Sequence, residues 1–293
     1  MRVTSLSLPA DTKDILNKAA IEKGIESIID FFGIKLATEL SAKGIKADLL
    51  LGNNVLAHVP DINDFVGGMK IILKSHGVIT MEFPHLVQLV QNNQFDTIYH
   101  EHFSYLSFTS VNKIFSQHGF DLFDVEEIPT HGGSLRIFAK HKEDTSKPIE
   151  KNAELLLMKE HQLGVDTLPY YSGFQQKTDK IKNDFLNFLK EAKQQGKSVC
   201  GYGAAAKGNT LLNYCNVTSD LISFVVDASP HKQNKYLPGS KIPVVSEQKI
   251  RDTKPDYIII FPWNIKDEII NQLSYTQQWG SKFVVAVPEL KII

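Results

Sequence analysis

From residue 19 onward, short apolar runs alternate with amphipathic stretches whose apolar positions recur every three or four residues. The first kind marks buried strands and the second marks helices lying on them, so the pattern predicts helices covering a largely parallel sheet. Strands are predicted over 26–32, 47–52, 77–83, 121–127 and 134–140, with helices over 34–43 and 62–74 between the first three. Pro60 and Asp61 stand at the start of the second helix, where a fixed φ and a capping carboxylate favour initiation. The segment IPTHGG joins the fourth and fifth strands. It is too short for a parallel crossover, so this sheet is expected to end in a reversed strand.

Residues 141–197 change character, with Lys, Glu and Gln interleaved by apolar residues at helical spacing. They predict two helices, the second carrying Phe185, Leu186, Phe188 and Leu189 as a core-facing stripe. A second alternating unit follows, with strands over 198–202, 222–227, 256–261 and 282–287 and helices over 207–215, 246–253 and 265–278. The fold class is therefore α/β, with two Rossmann-like modules. The expected organisation is a leader over 1–18, a first α/β domain over 19–141, a helical connector over 142–197 and a second α/β domain over 198–293.

A length of 293 residues suits two domains. The 32 basic and 33 acidic residues leave a formal net charge of -1, which gives no electrostatic support to a nucleic-acid or anionic-membrane partner. No apolar run is long enough to span a bilayer, and the opening residues do not read as a secretory signal, so a cytoplasmic location is expected. Two cysteines, Cys200 and Cys215, supply neither a four-thiolate zinc site nor a disulfide framework and read as small buried residues.

Three stretches carry groups suited to chemistry. VCGYGAAAKGN (199–209) follows a predicted strand and opens a helix. Gly201, Gly203 and Ala206 fit the layout that lets backbone N–H groups approach a phosphate, Lys207 adds a point charge, and Asp227 ends the next strand where an acid can hold ribose hydroxyls. The same glycines also suit a tight strand-to-helix connection. QFDTIYHEHFSYLSF (94–108) gathers Tyr99, His100, Glu101, His102 and Tyr105. These groups serve general acid–base chemistry, half of a metal site through His100 and His102, or structural hydrogen bonding. At predicted strand ends stand Glu82 and His85, Asn53, Asn54 and His58, and THGGSLR adds His131 and Arg136. Strand ends are where ligands of open α/β sheets collect, and Arg136 is either an ion-paired strand residue or an anion clamp.

Taken in order, NNVLAHVPDINDFV, EFPH, QFDTIYHEHFSYLS, DVEEIPTHGGSLR and GYGAAAKGNTLLNY resemble the family of SAM-dependent C-methyltransferases acting on nucleotide-linked keto-deoxysugars. The resemblance runs from about residue 19 to the C-terminus. It implies a partial class I methyltransferase core followed by a C-terminal α/β/α domain, with SAM as cofactor and a dTDP-sugar as partner. On the family's Tyr-x-Glu-His pattern it makes Tyr99, Glu101 and His102 catalytic, with His102 as the base that removes a proton beside the sugar ketone. Glu82, His85, His131, Arg136, Gly201, Gly203 and Lys207 are then substrate-binding, and Asn53, Asn54 and His58 contact the methionine side of SAM. No metal is expected. The family's zinc domain and first two strands with their Gly-rich SAM turn have no counterpart in the 18 residues before Ala19. An incomplete SAM pocket, doubtful activity and an exposed sheet edge are therefore expected. The alternatives are a non-catalytic sugar-nucleotide-binding protein and an NAD(P)-dependent oxidoreductase using the 199–209 turn.

Overall fold

The computed structural model describes residues 22–24, 27–28 and 30–293, so the expected leader lies outside the described residues. The chain divides into two compact units, one made by residues up to 87 together with 101–170, the other by 88–100 together with 171–293.

The first unit contains α1 (Ile34–Ala42), β1 (Ala47–Asn53), α2 (Ile62–Ile72) and β2 (Leu73–Pro84). Asp61 caps α2 as its sequence position predicts, accepting from the amides of Asn63 and Asp64. The expected strand over 26–32 is corrected: residues 27, 28 and 30–32 form no strand. Phe32 instead packs edge-on against Phe65, with ring centroids 5.5 Å apart. Helix α3 (Leu86–Gln91) takes the chain into the other unit, and the chain returns at Glu101. Then come α4 (Phe108–Gln117), β3 (Phe120–Ile128), β4 (Ser134–His141) and α5 (Lys151–Leu163). The sheet order is β1-β2-β4-β3. β1 and β2 are parallel, while β4 runs antiparallel to both β2 and β3, which is the reversed end that IPTHGG predicts. Phe83, Phe108, Phe115, Phe120, Leu135 and Ile137 fill the core with no exposure. β1 is an edge strand on which Leu49 and Leu51 are 52% and 69% exposed.

The second unit contains α6 (Phe174–Gln194), β5 (Val199–Tyr202), α7 (Ala206–Tyr214), β6 (Val225–Val226), β7 (Lys235–Tyr236), β8 (Pro243–Val245), α8 (Gln248–Thr253), β9 (Tyr257–Ile260), α9 (Lys266–Gln272), β10 (Lys282–Val285) and β11 (Lys291–Ile292). Its order is β11-β10-β9-β5-β6-β8-β7. The five inner strands are parallel, and β7 and β11 are antiparallel edges that the sequence pattern missed because each has only two residues. From β5 the chain builds outward through β6 and β8, then returns to β9 on the opposite side. The direction of winding thus reverses between β5 and β9, the place in such sheets where a crevice opens beyond the strand ends.

The expected connector is not a body of its own. α5 buries Ala153 and Leu156 in the core of the first unit, while α6 buries Ile181, Phe185 and Leu189 in that of the second. Residues 88–100, expected in the first domain, join the second, where Phe95 is part of the core. Which apolar face meets which core, and not the order of segments, decides membership.

Candidate functional site

In the first unit, polar groups converge at the carboxyl ends of β1 and β2. The carbonyl of Ala57, in the turn Leu56–His58, accepts from the amides of Phe103 and Ser104 at 2.9 and 3.2 Å. Those bonds bring the loop after Glu101 onto the turn. His102 consequently meets His58 edge to face, with ring centroids 4.7 Å apart, and has Tyr105 at 5.8 Å on an equally steep angle. His102 is half-buried, the exposure a proton-transfer group needs to reach a substrate while remaining fixed.

A second set of contacts ties in the turn between β3 and β4. Asn54 and His131 both adopt left-handed backbone, at φ 55° and 57°, a conformation that costs energy and is held only where surroundings enforce it. The Asn54 amide nitrogen donates to His131 Nε2 at 3.0 Å, and the Asn54 backbone N–H donates to the Glu82 carbonyl at 2.8 Å. The buried Glu82 carboxylate accepts from the Thr130 hydroxyl at 2.9 Å and from Arg136 at 3.2 Å. Arg136 also binds Glu126 at 3.2 Å, because Glu82 and Glu126 lie directly across from it on the two neighbouring strands. The guanidinium is thus an ion-paired strand residue. The anion-clamp reading is corrected: Arg136 already faces two carboxylates. Asn53 stays exposed at the strand end, its carboxamide engaged by no described residue.

His85 is corrected as well. Its side chain is 1% exposed, with Nε2 donating to Glu160 at 2.7 Å. Glu160, from α5, also accepts from the amides of Phe108 and Thr109 and from the Thr109 hydroxyl. The amides are the first two of α4, so the carboxylate serves as an anion bound at a helix N-terminus. Burial by itself would raise the Glu160 pKa, but the bonds from His85 and Thr109, with Phe108, bring it below the usual value. His85 faces this internal pair and no crevice.

In the second unit the Gly-rich turn sits at the winding reversal between β5 and β9. Gly203 has φ +90°, and a Cβ there would lie 2.5 Å from the Pro262 ring. A Cβ at Gly201 or Gly208 would meet the Phe261 ring at 2.5 or 2.8 Å. The glycines therefore let the turn close onto the segment after β9, which brings Lys207 to the Trp263 face at 4.2 Å and to Asn264 Oδ1 at 2.8 Å. Ala205, the residue before α7, gives no side-chain cap, leaving the first amides of that helix without one. The expectation for Asp227 is corrected: its carboxylate accepts from the Ala204 and Ser229 amides, each at 2.8 Å, and pairs with Lys232 at 3.3 Å. It closes the loop and presents no free acceptor pair to a ribose.

Beneath Lys207 lies Asp96, which the sequence reading passed over. It is 1% exposed, one oxygen accepting from the Trp263 indole N–H at 2.7 Å and the other buried without a partner. Burial pushes its pKa up to about 7, against the opposing pull of Trp263 and of the Lys207 charge. The available signal was an aspartate set between the apolar Phe95 and Ile98 in QFDTI. Tyr99 and His100 fall in the second unit, and Glu101 and His102 in the first. Among the described residues no group of three or more His, Cys, Asp or Glu is arranged to hold a metal. Both cysteines are buried, which pushes their thiols well up, Cys215 to about 12.

An α/β unit with polar groups at its strand ends, joined in one chain to a doubly wound unit with a Gly-rich turn at its switch point, defines an α/β protein of Rossmann-like class. Residues 129–288, just over half of the chain, match the family model described as C-methyltransferase C-terminal domain, and the chain belongs to that family. It is 35% identical over 274 residues to the C-methyltransferase NovU of Streptomyces niveus, covering 94% of this chain. The chain spans 65% of that relative's length. Solved methyltransferase structures resemble parts of it. One is a S-adenosylmethionine-dependent methyltransferase from Clostridium acetobutylicum (9% identity, TM-score 0.35, 47% of this chain and 74% of that one). Another, from Thermotoga maritima, is described as a possible histamine N-methyltransferase (16%, 0.35, 44% and 70%). At these scores the likeness carries no inference about this chain. Among the described residues no helix is long and apolar enough to cross a membrane.

Proposed function

We propose that the protein takes part in SAM-dependent methylation of carbon in a nucleotide-linked keto-deoxysugar, with a dTDP-sugar as substrate. The observation that carries this reading is the His102 imidazole held against His58 and Tyr105 by the two amides bonded to Ala57. An imidazole is a base suited to removing a proton from carbon beside a ketone, and the negative charge then developing on the ketone oxygen needs donors close by. His102 is the base in this reading, and Tyr99 and Glu101 are assigned to the chemistry on the Tyr-x-Glu-His pattern alone.

The residues at the end of β1 suit the amino-acid end of SAM: Asn53 has an unengaged carboxamide, Asn54 is fixed by Glu82 and His131, and His58 stands on the adjacent turn. SAM bound there supplies a methyl group to a carbon nucleophile. Glu82 and His131 order that wall and Arg136 steadies Glu82. In the second unit, Gly201, Gly203 and Lys207 supply the phosphate cradle at the head of α7, a nucleotide-linked sugar carrying both a ketone and a diphosphate. Asp227, closed onto Ala204, speaks against a dinucleotide in that turn.

His102→Gln tests the reading. Turnover of a dTDP-keto-sugar is expected to fall at least ~100-fold, while stabilisation of the protein by dTDP-glucose on heating is retained. Turnover within a fewfold of wild type would discard His102 as the base.

A further inference from the structure

The pair formed by Asp96 and Lys207 is left without a role by this reading. We infer that Asp96 is a positioning residue of the phosphate cradle, acting through Lys207, and that binding a nucleotide diphosphate at the head of α7 makes the protein take up a proton there. The inference rests on the cradle reading above and deepens it.

Three features of the second unit lead to it. The turn Phe95–Thr97, which carries Asp96, packs on α7, and the Phe95 ring lies 5.3 Å from that of Tyr214. The Trp263 indole stands between the two charges, its N–H on the carboxylate at 2.7 Å and its face under the ammonium at 4.2 Å. The second carboxylate oxygen is buried and has no hydrogen-bond partner among the described residues, so a negative charge at that atom is poorly solvated. α7, packed on this turn, carries Lys207 and also Tyr214, which faces Phe95; the segment after β9 carries the uncharged Trp263, bonded to Asp96, and Asn264, bonded to Lys207; the turn itself carries the uncharged Phe95 and Thr97. Among the described residues, Lys207 is the charged group that acts on Asp96.

A diphosphate placed on the Lys207 ammonium competes for that charge. It also puts a second negative group near a carboxylate in poor solvation, where like charges disfavour joint ionisation. Because burial has already brought Asp96 to about 7, protonation of the carboxylate is the cheapest relief. Below pH 7 the site is already protonated and binds at full strength. Above it each pH unit lowers affinity by up to a factor of ten for the single proton taken up.

The test uses dTDP-glucose, a diphosphate diester that lacks the phosphomonoester ionisation near pH 6, titrated calorimetrically from pH 6 to 9 in buffers of differing ionisation enthalpy. Wild type is expected to lose about tenfold in affinity between pH 7.5 and 8.5 with close to one proton taken up, and Asp96→Asn to lose both the slope and the uptake. Trp263→Phe removes the indole donor and should move the wild-type midpoint to higher pH. It serves as the test if Asp96→Asn fails to fold. A flat wild-type profile, an Asp96→Asn protein that keeps the slope (making Lys207 the titrating group), or an unmoved midpoint in Trp263→Phe overturns the inference and leaves the cradle standing. No binding by wild type at any pH removes the cradle itself, and the inference with it.

Discussion

Two buried carboxylates, one from each unit, meet opposite fates. Glu160 in the first unit has a side chain with no exposure and accepts four hydrogen bonds, two of them from the first amides of α4. Asp96 in the second unit is equally enclosed and accepts one described bond, from an indole. The first carboxyl therefore titrates below the usual glutamate value and the second is pushed up to about 7. Burial is common to both, so donor count decides which form the fold favours. A fully bonded charge joins α5 to α4, whereas a poorly bonded one is left close to its titration point beside the turn read here as a ligand cradle.

The largest effect is expected at Glu160. Glu160→Ala strands the His85 Nε2–H, two helix amides and the Thr109 hydroxyl in a dry interior, at a cost of about 3–5 kcal/mol by urea denaturation. A loss below about 1 kcal/mol would show that water replaces the carboxylate and would erase the contrast with Asp96. The wild-type contribution of Glu160, whose folded pKa is depressed, is present above the unfolded value and fades as pH falls through the folded one.

For Asp96 the sign is reversed. Its folded pKa is raised, so the native state holds a proton that the unfolded chain releases from about 3.8 upward. Stability is complete below that value and is lost as pH rises to about 7. Asp96→Asn should remove this dependence, gaining on the order of 3 kcal/mol on wild type between pH 4 and pH 8 in thermal or urea unfolding. Parallel pH–stability curves for the two proteins would mean that Asp96 does not titrate in that window.

The smallest effects concern single donors. Trp263→Phe removes the donor to Asp96 and should cost about 1–2 kcal/mol above pH 7, whereas Thr109→Val removes one donor in four from Glu160 and should cost nearer 1 kcal/mol. Equal costs at both sites, measured at pH 8, would mean that donor count is not what separates them.

Much of this was legible in the sequence. Short apolar runs and three-to-four-residue spacing located most of the strands and helices of both units, including the reversed β4, because those patterns report which side chains face a core. The Gly-rich turn and the Tyr99–His102 segment stood out as motifs. Asp96, Trp263 and Glu160 did not, since each acts through a partner at least 50 positions away. The same blindness placed residues 88–100 in the other unit and gave His85 and Asp227 free side chains that folding had already engaged.

By itself, the sequence determined the α/β class, the helix cap at Asp61, the glycine-dependent turn at 203 and the residues available for proton transfer, because these depend on local backbone preference and on side-chain type. Tertiary structure alone decided which carboxylates keep their charge, which cation lies between two carboxylates and which over an indole face, and which unit each helix completes. Those outcomes depend on desolvation and on donors brought in from distant parts of the chain, and neither quantity is defined until the chain has folded.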